Sequence, residues 1–490
     1  MTFGEVGSPL FLGSFLSALA LVAILQAMAK VAVLFLLFTL PLIGAKKPNF
    51  IFVLGDDINR DNLGCYGGGV TCWTPHLDRL AADGVRFGKA YTSVAMCAPF
   101  RQELFSGRTP WRTRTFLNHS QSTAETKSLP HYLKTLGYRV ALLGKTHIGP
   151  KSCYPFENLG DTNNNEVFLK KAKAFIESCQ KELAPFCLII ASHDAHAPFT
   201  NGDASAYSPD KLDIPPYWID TPELRKALPP YLAEVTNFDA LVGEVRGFLD
   251  QSGLAPKSVL FACTEQGSQF PFAKWTCFDN GLHTGLIVYG PGRLAKGYVS
   301  QELFWMCDVA PTIVELAGGE VKPKAFDGRS QVANLRGEKT RVHDYVFGAF
   351  SNKGIIDNRE RIFPIRCVRD ERYSLIYSPS TEDITSNVTL TGALAKVHQE
   401  EPARKQKAVH PAESWVKAKG SGDPIVRKLF HRPEFALYDL ENDPYELANL
   451  AEDPEHATQL ARLKKVLMDY LKKHGDDDPV KTERALTKKN

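Results

Sequence analysis

The side chains best suited to chemistry in this 490-residue chain fall into a few short polar clusters. Asp56 and Asp57 stand side by side. Gly144-Lys145-Thr146-His147 sets an amine and an imidazole two residues apart. His193, Asp194 and His196 form a third group, and Glu265-Gln266 a fourth. Asp56, Asp57, Glu265 and Gln266 offer hard oxygen ligands. That set suits Ca²⁺, with Mg²⁺ as the other candidate, and argues against Zn²⁺, which prefers His and Cys. Lys145, His147, His196 and Lys274 add positive charge and proton donors. A hard cation ringed by such groups is built to work on an anionic oxyester, a phosphate or a sulfate.

Each cluster directly follows an apolar run. Phe50-Ile51-Phe52-Val53-Leu54 is short and continuous, as a strand buried on both faces must be. Val140 to Leu143, Cys187 to Ala191, Val259 to Ala262 and Leu286 to Tyr289 share that pattern. Helices are predicted between them. One covers Thr74 to Asp83, with Thr74 as N-cap, Pro75 just inside and Gly84 as stop. Another covers Tyr231 to Asp250, where Tyr231, Val235, Phe238, Val242, Val245 and Leu249 recur at helical spacing. Alternating buried strands and helices predict an α/β fold, a large mostly parallel sheet sandwiched by helices. Past residue 340, Tyr373 to Tyr377 and Phe435 to Tyr438 predict a smaller C-terminal antiparallel sheet. An amphipathic helix, about Pro454 to His474, follows it, and the end, 475–490, is polar and expected to fray.

Ligands of open α/β sheets bind at the carboxyl ends of the strands, so four clusters at four strand ends point to one site. Singly, each has a plainer reading. Paired acids usually form turns or caps, Lys145 could be solvated, and His193 and His196 could be satisfied loop residues. Coincidence at four strand ends argues for the site.

The nucleophile candidate lies in Cys97-Ala98-Pro99-Phe100-Arg101, followed by Ser106-Gly107-Arg108. Pro99 is expected at the first helical position, which places Cys97 at a helix N-terminus, where the dipole favours negative charge. A lone Cys is more often a buried structural residue. Here Cys-x-Pro-x-Arg with Ser-Gly-Arg resembles the signature of the type I sulfatases, of the alkaline-phosphatase-like superfamily. The likeness extends through Pro48 to Asp57, Thr74 to Ala81, Gly144 to Gly149, Glu265-Gln266-Gly267, Asp327 to Ser330 and Leu437 to Pro444. Phe270 to Trp275, then Asp279-Asn280-Gly281, is similar to the sulfamidase-like and polysaccharide-sulfatase branch.

The resemblance implies a sulfuric ester hydrolase acting on a sulfated carbohydrate. It implies that a maturation enzyme converts Cys97 to 3-oxoalanine (formylglycine), whose hydrate attacks sulfur with one hydroxyl and expels sulfate through the other. Cys97 then joins Asp56, Asp57, Glu265 and Gln266 at the metal. Arg101 and Lys145 hold the charge, His147 takes the second hydroxyl's proton, and His196 with Lys274 protonates the leaving oxygen. His193 and Asn280 are expected around the site or against substrate. Three residues depart from the family pattern. Phe100 stands in place of Ser, Thr146 in place of Trp, and Glu265 in place of Asp. Other readings are a phosphodiesterase or phosphonate hydrolase of the same superfamily, a zinc phosphatase, and a sulfated-glycan binding protein without catalysis. The His-poor ligand set opposes the zinc enzyme. The full proton-transfer set opposes the binding protein.

The net charge of +3 gives no footprint for nucleic acid, and the 44% hydrophobic and 23% charged balance excludes a disordered chain. Residues 1–45 are set apart. From Met28, a basic start, an apolar run Val31 to Ile43 and small Gly44-Ala45 form the layout of a signal peptide, with 1–27 an upstream extension; an uncleaved membrane anchor is the alternative reading. The expected organisation is 1–45 signal, 46–340 catalytic domain, 341–475 C-terminal α+β subdomain and 476–490 polar tail. The protein is expected to be exported: periplasmic, secreted or lysosome-like according to host. Asn118-His119-Ser120 and Asn387-Val388-Thr389 are glycosylation acceptors in a host that glycosylates. Cys65 with Cys72, or Cys179 with Cys187, are candidate disulfide pairs.

Overall fold

The computed structural model describes residues 47–67, 72–356, 361–384, 418 and 420–488. The segment 1–45, expected to be a signal peptide, and Asn387 lie outside them. Pro48 onward forms one compact unit that holds both sheets. No described helix is long and apolar enough to cross a membrane.

The large sheet has eight strands in the order β4-β3-β5-β1-β6-β7-β2-β8. They are β1 (Asn49–Gly55), β2 (Val85–Tyr91), β3 (Arg139–Gly144), β4 (Glu157–Asn158), β5 (Phe186–Ala191), β6 (Ser258–Thr264), β7 (His283–Tyr289) and β8 (Tyr298–Trp305). β3, β5, β1 and β6 pair in parallel, whereas β7 runs antiparallel to β6 and β2. Side chains alternate across β1: Phe50, Phe52 and Leu54 enter one apolar layer, Ile51 and Val53 the other. Both layers are buried, which is why the run reads as uniformly apolar. The sequence pattern did not reveal β2 or β8. Arg86, Gly88 and Lys89 break the apolar run of β2, and β8 lies at the sheet edge with alternate residues exposed.

The helices cover both layers. Pro75–Asp83 begins after Thr74 as expected, but Thr74 Oγ1 accepts from Gly64 N instead of capping. The cap comes from Asp239, whose carboxylate accepts from His76 N at 3.2 Å and Leu77 N at 2.7 Å. The helix expected from Tyr231 starts earlier, and runs Pro222–Gln251 through Pro229 and Pro230. Burial of Leu224, Ala227 and Leu228 outweighs the two prolines, which normally mark a break.

The small sheet has the order β12-β11-β10-β9, from β9 (Val346–Phe350), β10 (Ile365–Arg369), β11 (Tyr373–Tyr377) and β12 (Phe435–Asp439), all antiparallel. The amphipathic helix Ala457–Lys473 packs on it through Leu463, Leu467 and Leu471. Within the tail expected to fray, Pro479–Lys488 is helical, with Thr482 and Glu483 buried. Ahead of it, Asp476 pairs with Arg366 Nε at 2.6 Å and accepts from Trp111 Nε1 at 2.8 Å, all buried. Neither expected disulfide is present, and all ten cysteines are free thiols. Cys179 and Cys187 belong to opposite apolar layers, so the sheet stands between them. Cys72 packs its sulfur against the Tyr207 hydroxyl at 3.3 Å.

Candidate active site

The carboxyl ends of β1, β3, β5 and β6 meet, and backbone bonds lock their loops together. Asp56 N donates to Asp194 O at 2.7 Å, Glu265 N to Gly55 O at 3.0 Å, and Lys145 N to Ala191 O at 3.0 Å. Gly144 has a left-handed backbone (φ 94°). A Cβ there would stand 2.1 Å from Ala191 O, so glycine is what lets β3 turn directly into Lys145.

Lys145 Nζ forms an ion pair with Asp56 Oδ2, and Lys274 Nζ donates to Asp57 Oδ2 at 2.6 Å. Gln266 Nε2 donates to Asp57 Oδ1 and lies 3.6 Å from Cys97 Sγ. Arg101 pairs with Glu265, both wholly buried, and donates from Nη1 to Lys145 O. His196 Nε2 stands 3.7 Å from Asp57 Oδ2, while its Nδ1 donates to Ala197 O at 2.8 Å. An Asp56 oxygen, Cys97 Sγ and a His196 nitrogen all lie within 4.8 Å of one another. Asp56, Asp57, Cys97, Arg101, Lys145, His196, Glu265, Gln266 and Lys274 are thus one linked constellation.

His147 follows Lys145 but turns its Nε2 to His119 Nδ1, at 2.7 Å. His193 bonds Asp161 Oδ1 at 2.8 Å rather than a member of the constellation. Asn280 lines a cavity of about 680 Å³ with Asp61, Tyr217 and Phe278, and none of the linked residues borders that cavity. His119, Asp161 and Gln269, whose Nε2 is 3.3 Å from His196 Nε2, carried no catalytic signal in the sequence.

Cys97 is itself the first residue of the helix Cys97–Ser106, with Met96 as cap and Pro99 two residues further in. Contrary to the dipole argument, burial and then Asp56 push its thiol up to about 12. Phe100 faces away into an apolar layer and is fully buried. Burial alone would raise Asp56, but Lys145, His196 and Lys274 hold it well below the usual carboxylate range. Glu265 is raised by burial, which outweighs Arg101. Burial and Lys145 push His147 down to about 3, and burial with Lys274 lowers His196.

Asp56 Oδ1, Glu265 Oε2 and Gln266 Oε1 are buried and accept no hydrogen bond among the described residues. Three buried oxygens without a donor, at the ends of β1 and β6, fit a hard cation by their chemistry, although the atoms within 4.8 Å of one another belong to Asp56, Cys97 and His196 and not to Asp57 or Glu265.

The chain matches the Sulfatase family profile over residues 48–319, and therefore belongs to the sulfatase family. Residues 267–388 match the profile of the N-sulphoglucosamine sulphohydrolase C-terminal region. An ulvan-active sulfatase of Formosa agariphila is 29% identical over 443 residues, covering 88% of this chain and 81% of its own. Human N-sulphoglucosamine sulphohydrolase is 26% identical, covering 89% and 92%. A structure in complex with D-glucosamine-2-N,6-O-disulfate shares the fold with a TM-score of 0.64 at 18% identity, covering 89% of this chain and 99% of that one. The chain is an enzyme of sulfate ester hydrolysis with the predicted α/β architecture.

Proposed function

We propose that the protein hydrolyses a sulfate ester or N-sulfate on a sulfated carbohydrate, using a formylglycine made from Cys97 and a Ca²⁺-type ion. The observation that carries this is the convergence of Cys97, Arg101, Lys145, His196 and Lys274 with orphaned oxygens of Asp56, Glu265 and Gln266. The sugar assignment rests on the relatives, which include an ulvan-active sulfatase and an N-sulphoglucosamine sulphohydrolase.

Asp56, Asp57, Glu265 and Gln266 would hold the cation, which supplies charge stabilisation and orientation when bound. A formylglycine made at position 97 would supply, once hydrated, a nucleophilic hydroxyl and a second hydroxyl for release of sulfate. Lys145 and Arg101, cations of the constellation, would hold the sulfate oxygens, and Lys274, paired with Asp57, would act with His196 at the leaving oxygen. Neutral His196 donates through Nδ1, so its Nε2 lone pair faces Asp57 and Gln269; a proton gained at Nε2 is the one it gives to the leaving oxygen. His147, held neutral, takes a proton as sulfate departs. His193 and Asn280 fall outside this set and are assigned no step. Export by the segment before Lys46 fits a substrate met outside the cytosol.

The test is mass spectrometry of the peptide containing Cys97 alongside activity, with and without a co-expressed maturation enzyme. Activity should track conversion to aldehyde despite the neighbouring Phe100. Full sulfatase activity from a plain thiol overturns the mechanism. Faster turnover of phosphate than of sulfate esters favours the phosphodiesterase reading.

A further inference from the structure

His147 has a second relationship that this scheme does not use. Its Nε2 lies 2.7 Å from Nδ1 of His119, with ring centroids 4.5 Å apart. Two imidazole nitrogens in contact share one proton, which one donates and the other accepts. His119 is exposed, so water reaches its far side. The contact is built into the backbone. Gln102, fully buried and next to Arg101 on the Cys97 helix, donates from Nε2 to Ser120 O at 2.8 Å. Its Oε1 accepts from Ser122 N at 3.0 Å, and Ser122 N also reaches Gly149 O at 2.9 Å, two residues past His147. The helix that presents Cys97 thus ties down both histidine loops. His119 and His147 both have left-handed backbones (φ 62° and 47°), a conformation other residues than glycine keep only where their surroundings impose it.

His147 Nδ1 is buried and bonds nothing among the described residues. Lys145 and Arg101 act on His147 more strongly than Asp56 does, and a cationic setting favours a lone pair over an N–H at that nitrogen. We infer that His119 is the positioning residue for His147: its Nδ1 accepts the His147 Nε2–H and so keeps the lone pair of His147 Nδ1 free for the reacting groups. This rests on the reading of His147 as the base that releases sulfate. When His147 takes the proton of the second hydroxyl at Nδ1, that O–H bond breaks as the Nδ1–H bond forms, and the imidazolium retains its Nε2–H and its bond to His119. The Nδ1 proton then passes to water, which restores the neutral ring. The arrangement does with a neutral ring what a carboxylate does for the histidine of a serine hydrolase. A neutral ring adds no charge to His147, and burial with Lys353 and Lys145 lowers His119 from the ordinary imidazole value.

The test compares two variants of the matured, metal-loaded protein. His119→Gly keeps the left-handed backbone and removes the ring. His119→Asn tolerates that backbone and retains an acceptor near the Nδ1 position. His119→Gly should lose roughly tenfold to a hundredfold in kcat on a sulfate ester with KM and melting temperature little changed, as loss of an orienting partner typically does. His119→Asn should recover most of that loss, and added imidazole part of it. Nitrogen-15 shifts of His147, which need no turnover, should show Nε2–H in the wild type and a tautomer mixture in His119→Gly. An Nδ1–H tautomer in the wild type, or wild-type kcat in His119→Gly, overturns the inference. A wild type with the Nε2–H tautomer that cleaves no sulfate ester refutes the proposed function and leaves the His119 assignment standing.

Discussion

Lys274 Nζ stands 2.6 Å from Asp57 Oδ2, and both side chains are buried. An acid assigned to the cation is therefore already neutralised by a lysine assigned to the leaving group. The pairing links metal binding to acid catalysis: a group that draws on Asp57 changes how tightly Lys274 is held. Buried pairs of this kind cost desolvation that only good geometry repays.

Metal should follow the orphaned oxygens. Dialysis against a chelator should lower the melting temperature, and Ca²⁺ should restore it. Calcium at a hundred times its dissociation constant adds about 2.7 kcal/mol by mass action. Asp57→Asn should weaken that response, and elemental analysis should find one Ca²⁺-type ion per chain. Stoichiometric zinc, or no response to chelation, would sink the ligand assignment.

His196→Ala should damage turnover of basic leaving groups more than that of activated aryl sulfates. A general acid contributes most when the leaving oxygen is basic, typically ~10²–10⁴-fold. Equal losses on both substrate types would remove His196 from that role. The comparison is of kcat/KM across a leaving-group series.

Asp476→Ala should destabilise the protein by about 3–5 kcal/mol, because Arg366 would be left buried without its carboxylate. Trp111 Nε1 loses its acceptor as well. Denaturant melts measure the loss, and a value near zero would show that water reaches the guanidinium.

Glu234 is pushed up to about 8 by burial and by Asp194. Its Oε1 accepts from Thr200 N and Asn201 N, while its Oε2 is buried and has no partner among the described residues. With the folded value above the unfolded one, its contribution is fully present below about pH 4.5 and is lost as pH rises towards about 8. Glu234→Gln mimics the protonated acid. Its unfolding free energy in denaturant melts should therefore gain on the wild type between pH 5 and pH 8, on the order of kcal/mol, since one pKa unit is worth about 1.36 kcal/mol. A pH-independent difference would show Glu234 ionised in the fold.

The sequence alone determined whatever rests on local pattern. Strands β1, β3, β5 and β6 are buried on both faces, so their apolar runs are continuous, and the polar residues closing them stand out. The Cys97 motif and the residues after each strand were legible for that reason. Tertiary structure decided what depends on distant partners. Asp239 lies 162 residues from Leu77 and caps its helix, a bond no local signal encodes. Burial carried a helix through Pro229-Pro230, and the Arg366–Asp476 pair fastened an end that composition marks as loose. His119 reads only as the middle of a glycosylation sequon. It meets His147 because Gln102 and Ser122 fold two loops against the Cys97 helix. A side chain's identity is local, whereas its protonation, tautomer and partner depend on the charges and backbone that the fold brings around it.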